Sequence, residues 1–197
     1  MKKLILVLLF VPLFSFAQKR DSVYVQNKVF TLVYSEILEQ PKWVKYKVTC
    51  AENNVSRKGL DFYKEKTIHT SGNEDYVAND WDKGHMAPAA TFGCDAELLK
   101  QTFTYLNSAL QHKSLNRGVW KELEEYERQL GQKADDIEIY IRVDFNPPLK
   151  KVSGGATIPS GFYKTIKSQT LKINECYYFN NTIPHCTDLK MFRINCE

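Results

Sequence analysis

Apolar and polar positions alternate in two clear places along the chain. In "WVKYKVTCA", Val44, Tyr46 and Val48 alternate with lysines, and in "IEIYIRVDF", Ile137, Ile139, Ile141 and Val143 alternate with polar residues. A period of two sends successive side chains to opposite faces, so both stretches predict strands with one wet face. "KVFTLVYSEI" precedes the first and reads as another strand, Pro147 and Pro148 close the second, and "LKINECYYF" reads as a last strand. "GATIPSGFYKTIKS" predicts strand, turn and short helix. "RGVWKELEEYERQLG" predicts a strong helix stopping at Gly131, and Asp95 is a fair N-cap for a short helix in "AELLKQTF". Residues 53–79 are polar, contain Gly59 and Gly72, and predict loops with at most one short strand. "DKG", Asp82 to Gly84, carries a turn signal. Strands, a helix pair and strands again predict an α+β fold with an antiparallel β-sheet core.

The first stretch, "MKKLILVLLFVPLFSFAQ", has another pattern: two lysines, an apolar run from Leu4 to Phe14, then Ser15 and Ala17 at the small positions an export peptidase needs. The run is shorter than the ~20 residues that span a bilayer, so residues 1–17 read as a cleaved signal peptide rather than an anchor. Residues 18–197 then form one domain, secreted or periplasmic and with no stable membrane association. Export changes how the five cysteines are read, because one or two disulfides become plausible with one thiol left over. A bridge among Cys176, Cys186 and Cys196 would staple the C-terminus, whereas a zinc site using His185 fits no ligand spacing. Removing Lys2 and Lys3 with the leader lowers the net charge from +4 to +2. Bulk charge therefore announces no anionic partner, and any attraction to phosphate must come from a local patch.

Candidate chemistry gathers in two stretches about thirty residues apart. "DWDKGHMAPAATF" places His85 beside Lys83 and two aspartates. Asn116 stands where the long helix should begin, as a good N-cap, and counting by fours from it gives Trp120, Glu124 and Arg128 along one stripe. Each half has a plain structural reading: a histidine near a turn, a helix cap, and an ordinary Glu124 to Arg128 ion pair. Together they suit phosphodiester hydrolysis. A neutral imidazole can take a proton from water, and a hard cation held by few protein oxygens, such as that of Asn116, can stabilise the transition state. Lys83 and Arg128 can bind the anionic oxygens.

These residues resemble the DNA/RNA non-specific endonucleases of the ββα-metal, or His-Me finger, fold. That family's Asp-Arg-Gly-His and Leu-Ala-Pro-Ala hallmark is similar to "DKGHMAPA" at Asp82 to Ala89, and its Asn-Arg-Gly-x-Trp-x-x-Leu-Glu hallmark stands unbroken as "NRGVWKELE" from Asn116 to Glu124. "TYLNSALQ" resembles the strand and turn between them, with Asn107 and Gln111 retained, and "GATIPSGFYKTI" resembles a later Ile-Pro segment. The resemblance implies that His85 is the general base, Asn116 the direct magnesium ligand and Glu124 the holder of metal-bound water. It also implies that Arg128 lies near the scissile phosphate and that Asn107 helps orient the site. Magnesium is the implied cofactor, with manganese as the alternative. DNA and RNA are the implied substrates, cleaved to 5′-phosphate ends, and His85 is expected at the end of a β-hairpin facing the long helix.

The chain departs from the pattern at Lys83, which replaces an arginine and loses its bidentate fork. It departs also at Leu110, where the family has proline and a loosened turn is expected, and in "IYIRVDFNPP", which implies a smaller substrate platform. Three other readings remain at this point: a binding module of the same fold without turnover, a phosphodiesterase of small nucleotides, and a purely structural extracellular domain.

Overall fold

The computed structural model describes residues 18–50 and 54–196. The leader read at residues 1–17 lies outside them. Seven strands form one antiparallel sheet in the order β1 (Val23–Gln26), β2 (Phe30–Ser35), β3 (Gln40–Lys47), β6 (Glu138–Asp144), β9 (Gly161–Ser168), β10 (Ile173–Asn180) and β11 (Arg193–Ile194). Two small ribbons stand apart from it, β4 (Trp81–His85) with β5 (Ser108–His112), and β7 (Lys150–Lys151) with β8 (Thr157–Ile158). Among the described residues, three α-helices complete the α+β architecture: α1 (Ala96–Thr102), α2 (Lys113–Arg117) and α3 (Val119–Gly131).

The alternations become the faces of the sheet. Val44 and Tyr46 on β3, with Ile139, Ile141 and Val143 on β6, are buried toward α3, while Trp43, Lys45, Tyr140 and Arg142 turn outward. α3 closes the inner face with Val119, Trp120, Leu123 and Leu130. The Trp120 ring lies 5.4 Å from Phe162 and 5.5 Å from Phe179, and losing it to alanine would cost about 3–5 kcal/mol. Beneath the same helix, Lys164 Nζ lies 2.6 Å from Glu127 Oε1, with both side chains fully buried. Tyr46 donates to Glu127 Oε2 at 2.6 Å, and Lys164 sits 4.4 Å over the Trp120 ring. This pair is thus held from three sides, as a buried charge pair must be. Among the described residues no helix is long and apolar enough to cross a membrane.

Several expectations change. "GFYKTIKS" is strand throughout, not turn and short helix. Phe162, Lys164 and Ile166 face inward, Lys167 outward, and both edges of β9 are paired, to β6 and β10, which leaves no backbone group for a helix. "WDKGH" is a strand rather than a turn, paired with β5 from Trp81↔His112 to His85↔Ser108. β1 was not legible as an element in the sequence. Leu110 lies in β5, where its N–H donates to Gln40 Oε1 at 3.0 Å, so proline would remove a used donor rather than tighten a turn.

Asn116 does not cap the long helix. It belongs to α2, and Gly118 is the N-cap of α3. A Cβ at Gly118 would lie 2.7 Å from the Ser114 carbonyl oxygen, so glycine permits the break that separates the two helices. The Asn116 to Arg128 stripe is therefore interrupted after Arg117. The Asp95 cap holds, with its side chain accepting from the N–H groups of Glu97 and Leu98. Disulfides join Cys50 to Cys94 and Cys176 to Cys196, and Cys186 is free. The second staples the C-terminal strand to β10, as the tail cysteines suggest.

Candidate active site

Strand β4 carries the site, and its pleat divides the chemistry between two sides. Asp82 points toward α2, where its Oδ2 accepts from Asn116 Nδ2 at 2.9 Å and from Arg117 Nε at 2.8 Å. Burial works to raise the Asp82 pKa, but the hydrogen bonds from Arg117 and Asn116 outweigh it and leave the group below the ordinary carboxylate range. An ionised carboxylate only accepts, so it fixes the Asn116 amide with the NH₂ toward Asp82 and the oxygen turned away. That oxygen is the atom a hard cation would take, with most of the remaining coordination supplied by water. The donor set fits a hard divalent cation on that ground.

Lys83 and His85 occupy the other side of β4. His85 is half-buried as a side chain, packed 4.8 Å from the Phe62 ring and 5.0 Å from Phe103, while its Nε2 is covered and without a hydrogen-bond partner. Burial, helped by the Arg57 charge, pulls the imidazole pKa down to about 3, so the ring is neutral at physiological pH. Lys83 donates to Asn73 Oδ1 at 2.6 Å and lies 3.5 Å from Asp61, with the rings of Phe62 and Tyr105 each 5.4 Å from its ammonium. The aromatic faces and the two oxygens hold the charge close to the strand.

The turn after His85 is fastened by Asn107, which is fully buried. Its side-chain oxygen accepts from Ala87 N–H at 2.8 Å, and its Nδ2 donates to the carbonyls of Ala87 and Thr102. Its own carbonyl accepts from Met86 N–H. Asn107 thus acts on the backbone just beyond His85 rather than in the open site. Across the ribbon, Gly84 leaves room for Gln111, since a Cβ there would collide with the Gln111 side chain. Both amide atoms of Gln111 are buried without partners. Buried unpaired polar atoms are uncommon, and here Gln111 and His85 bring them onto one ribbon.

Glu124 sits one turn along α3 from Trp120, whose indole N–H donates to its Oε1 at 3.0 Å. Burial raises its pKa to about 7 against the lowering fields of Lys164 and Arg128. A cation nearby would hold it ionised. Arg128 therefore lies within electrostatic reach of Glu124. Among the described residues, no hydrogen bond joins His85 to Asn116 or Glu124.

Asp82, Arg57 and the Lys164–Glu127 pair are contributors that the residue-by-residue reading did not single out. Asp82 had a visible signal, lying within the same quoted motif. Arg57 stands alone in a polar loop, and the partner of Lys164 comes from a helix 37 positions away, so neither announces itself locally.

The profile describing DNA/RNA non-specific endonucleases matches residues 13–197. The mitochondrial nuclease EXOG of Danio rerio is 28% identical over 165 residues, covering 76% of this chain and 48% of that protein. A nuclease of Serratia marcescens is 26% identical over 193 residues, covering 90% of this chain and 71% of that one. The chain thus spans about half the length of the Danio rerio relative. A crystal structure of an EndoG/EndoGI complex superposes with a TM-score of 0.78 and 25% identity, covering 87% of this chain and 80% of its own. With both motifs present, the first changed at Lys83, with the ribbon and helix arranged around them and the profile running over nearly the whole length, the chain belongs to the DNA/RNA non-specific endonuclease family.

Proposed function

We propose that the protein is an exported, metal-dependent endonuclease that hydrolyses phosphodiester bonds in DNA and RNA with little sequence preference. The observation that carries this reading is the division of labour on β4. Asp82 aims the Asn116 oxygen outward, and three residues on, His85 keeps a nitrogen without a partner. Export is supported by the leader pattern and by two disulfides, which belong to oxidising compartments.

Bound at Asn116, magnesium would supply charge stabilisation for the pentavalent phosphorus transition state and an ordered shell of water that Glu124 helps to hold. His85 takes a proton from the attacking water as its oxygen bonds to phosphorus; the P–O3′ bond breaks, and the departing 3′-oxygen takes a proton from solvent. A pKa near 3 makes it a weak base in the free protein, but an anionic phosphate beside it favours imidazolium and strengthens it when it is needed. Asn107 positions the segment after His85, and Lys83 and Arg128 neutralise phosphate oxygens. A site that addresses backbone phosphate carries no base information, which agrees with low sequence preference.

The test is incubation of the purified protein with plasmid DNA and with RNA, adding magnesium or excess chelator. Degradation of both that requires the metal and is lost in His85→Ala is the expected result. Intact nucleic acid in every lane, from folded protein, would leave a binding module or a small-nucleotide phosphodiesterase instead. Cleavage of dinucleotides but not polymers would select the latter.

A further inference from the structure

The outer face of the sheet, opposite α3, carries an aromatic and basic surface that the reaction does not use. Tyr24 on β1, Trp43 on β3 and Tyr140 on β6 form a row across the sheet, with Val33 of β2 between the first two. Their ring centroids are 6.4 Å apart between Tyr24 and Trp43 and 6.3 Å apart between Trp43 and Tyr140. Tyr24 is 61% exposed. The Lys45 ammonium lies over both the second and third rings, 5.8 Å from the Trp43 centroid and 5.4 Å from that of Tyr140. Beside them an open groove of about 760 Å³ is lined by Lys28, Lys45, Lys47 and Lys167 against a single carboxylate, Glu138.

We infer that this face is a second binding surface for single-stranded nucleic acid. Tyr24, Trp43 and Tyr140 offer π faces on which successive bases stack, and Lys28, Lys45 and Lys167 draw in the phosphates. Rings interleaved with lysines along a groove are what sequence-tolerant single-strand binding requires, because every base has a π face and every nucleotide a phosphate. A second copy of the chain fits poorly, since a face-to-face pair would set lysines against lysines, and lysine is depleted in protein interfaces. The mature chain is close to neutral, so a local basic surface is also where its attraction to a polyanion must reside. Holding one part of a polymer here raises its local concentration at the α3 side.

The proposal rests on nucleic acid being the substrate, and the experiment separates the two claims. Binding of fluorescein-labelled dT20 is followed by anisotropy in excess chelator, where cleavage stops. Trp43→Ala with Tyr140→Ala should weaken binding about tenfold or more. Lys45→Gln with Lys167→Gln should reduce the slope of log affinity against log salt by about 1.4, and Tyr24→Ala, at an exposed ring, guards against a misfolded double variant. With magnesium, the ring variants should raise KM for long single strands while leaving dinucleotide turnover unchanged. Wild-type affinity in all three variants would overturn the surface, as would a dimer seen by sedimentation that Trp43→Ala dissolves. If sheet variants lose dT20 binding while magnesium produces no cleavage at all, the nuclease reading fails and the surface stands.

Discussion

Two buried polar regions of this molecule differ in one respect. Under α3, Lys164 and Glu127 are fully buried and meet each other, with Tyr46 and the Trp120 face completing the cage. On the β4–β5 ribbon, His85 and Gln111 are held just as firmly, yet keep nitrogen and oxygen atoms that nothing in the chain satisfies. A buried polar group without a partner costs stability, typically about 1–3 kcal/mol. The first region pairs its charges within the fold, and the second keeps buried polar atoms without a partner in the chain. Burial alone does not separate the two regions; the counter-ion that Lys164 and Glu127 supply to each other does.

The largest effect that would break this contrast is on turnover. His85→Ala should lower kcat by about 10²–10⁴-fold while near-UV circular dichroism stays native, since the proposed general base is lost and the stapled fold is not. Wild-type kcat in that variant would end the mechanism. The converse holds under α3. Lys164→Met should destabilise by about 3–5 kcal/mol in urea unfolding, because the Glu127 charge is left buried without its counter-ion, and adding Glu127→Leu should recover much of the loss. If the single variant unfolded at the wild-type midpoint, the pair would have no structural role.

A smaller effect sharpens the comparison through pH. His85 is depressed to about 3 in the folded, metal-free protein against an ordinary 6.5, so folding favours its neutral form. That contribution is present in full above pH 6.5 and is lost as pH falls toward 3. The stability of wild type should therefore fall relative to that of His85→Gln as pH drops from 6.5 toward 3, and the His85 resonances should stay constant between pH 8 and 5 in NMR. A midpoint near 6.5 would show that the ring is not sealed. The smallest expected change is Lys83→Arg, which should hold or modestly raise kcat/KM by restoring a bidentate donor. A sharp loss there would mean that the pocket of Phe62, Tyr105 and Asn73 is shaped for an ammonium.

Much of the architecture was legible because it is periodic. Alternation marked β3 and β6, Asp95 marked the start of α1, and Gly131 marked the end of α3. β9 was not, since Phe162 and Ile166 lie four apart and suit a helix as well as a strand. Pairing on both edges decided it. "WDKGH" shows no alternation of apolar residues, and its strand exists because Gly84 lets Gln111 lie across it. Asn116 was recognisable as chemistry but misplaced as a cap, because the break at Gly118 depends on a carbonyl of the preceding turn.

The sequence by itself determined the strand and helix periods, the motif pair and hence the family, and the identity of the groups available for chemistry. Those properties are local, written in residue type and spacing. Tertiary structure decided that Asp82 would aim the Asn116 oxygen, that Asn107 would fasten the backbone beyond His85, and that Lys164 would meet Glu127 while His85 Nε2 would meet nothing. Whether a polar atom is satisfied depends on what distant segments bring within about 3 Å of it, and no local pattern carries that information.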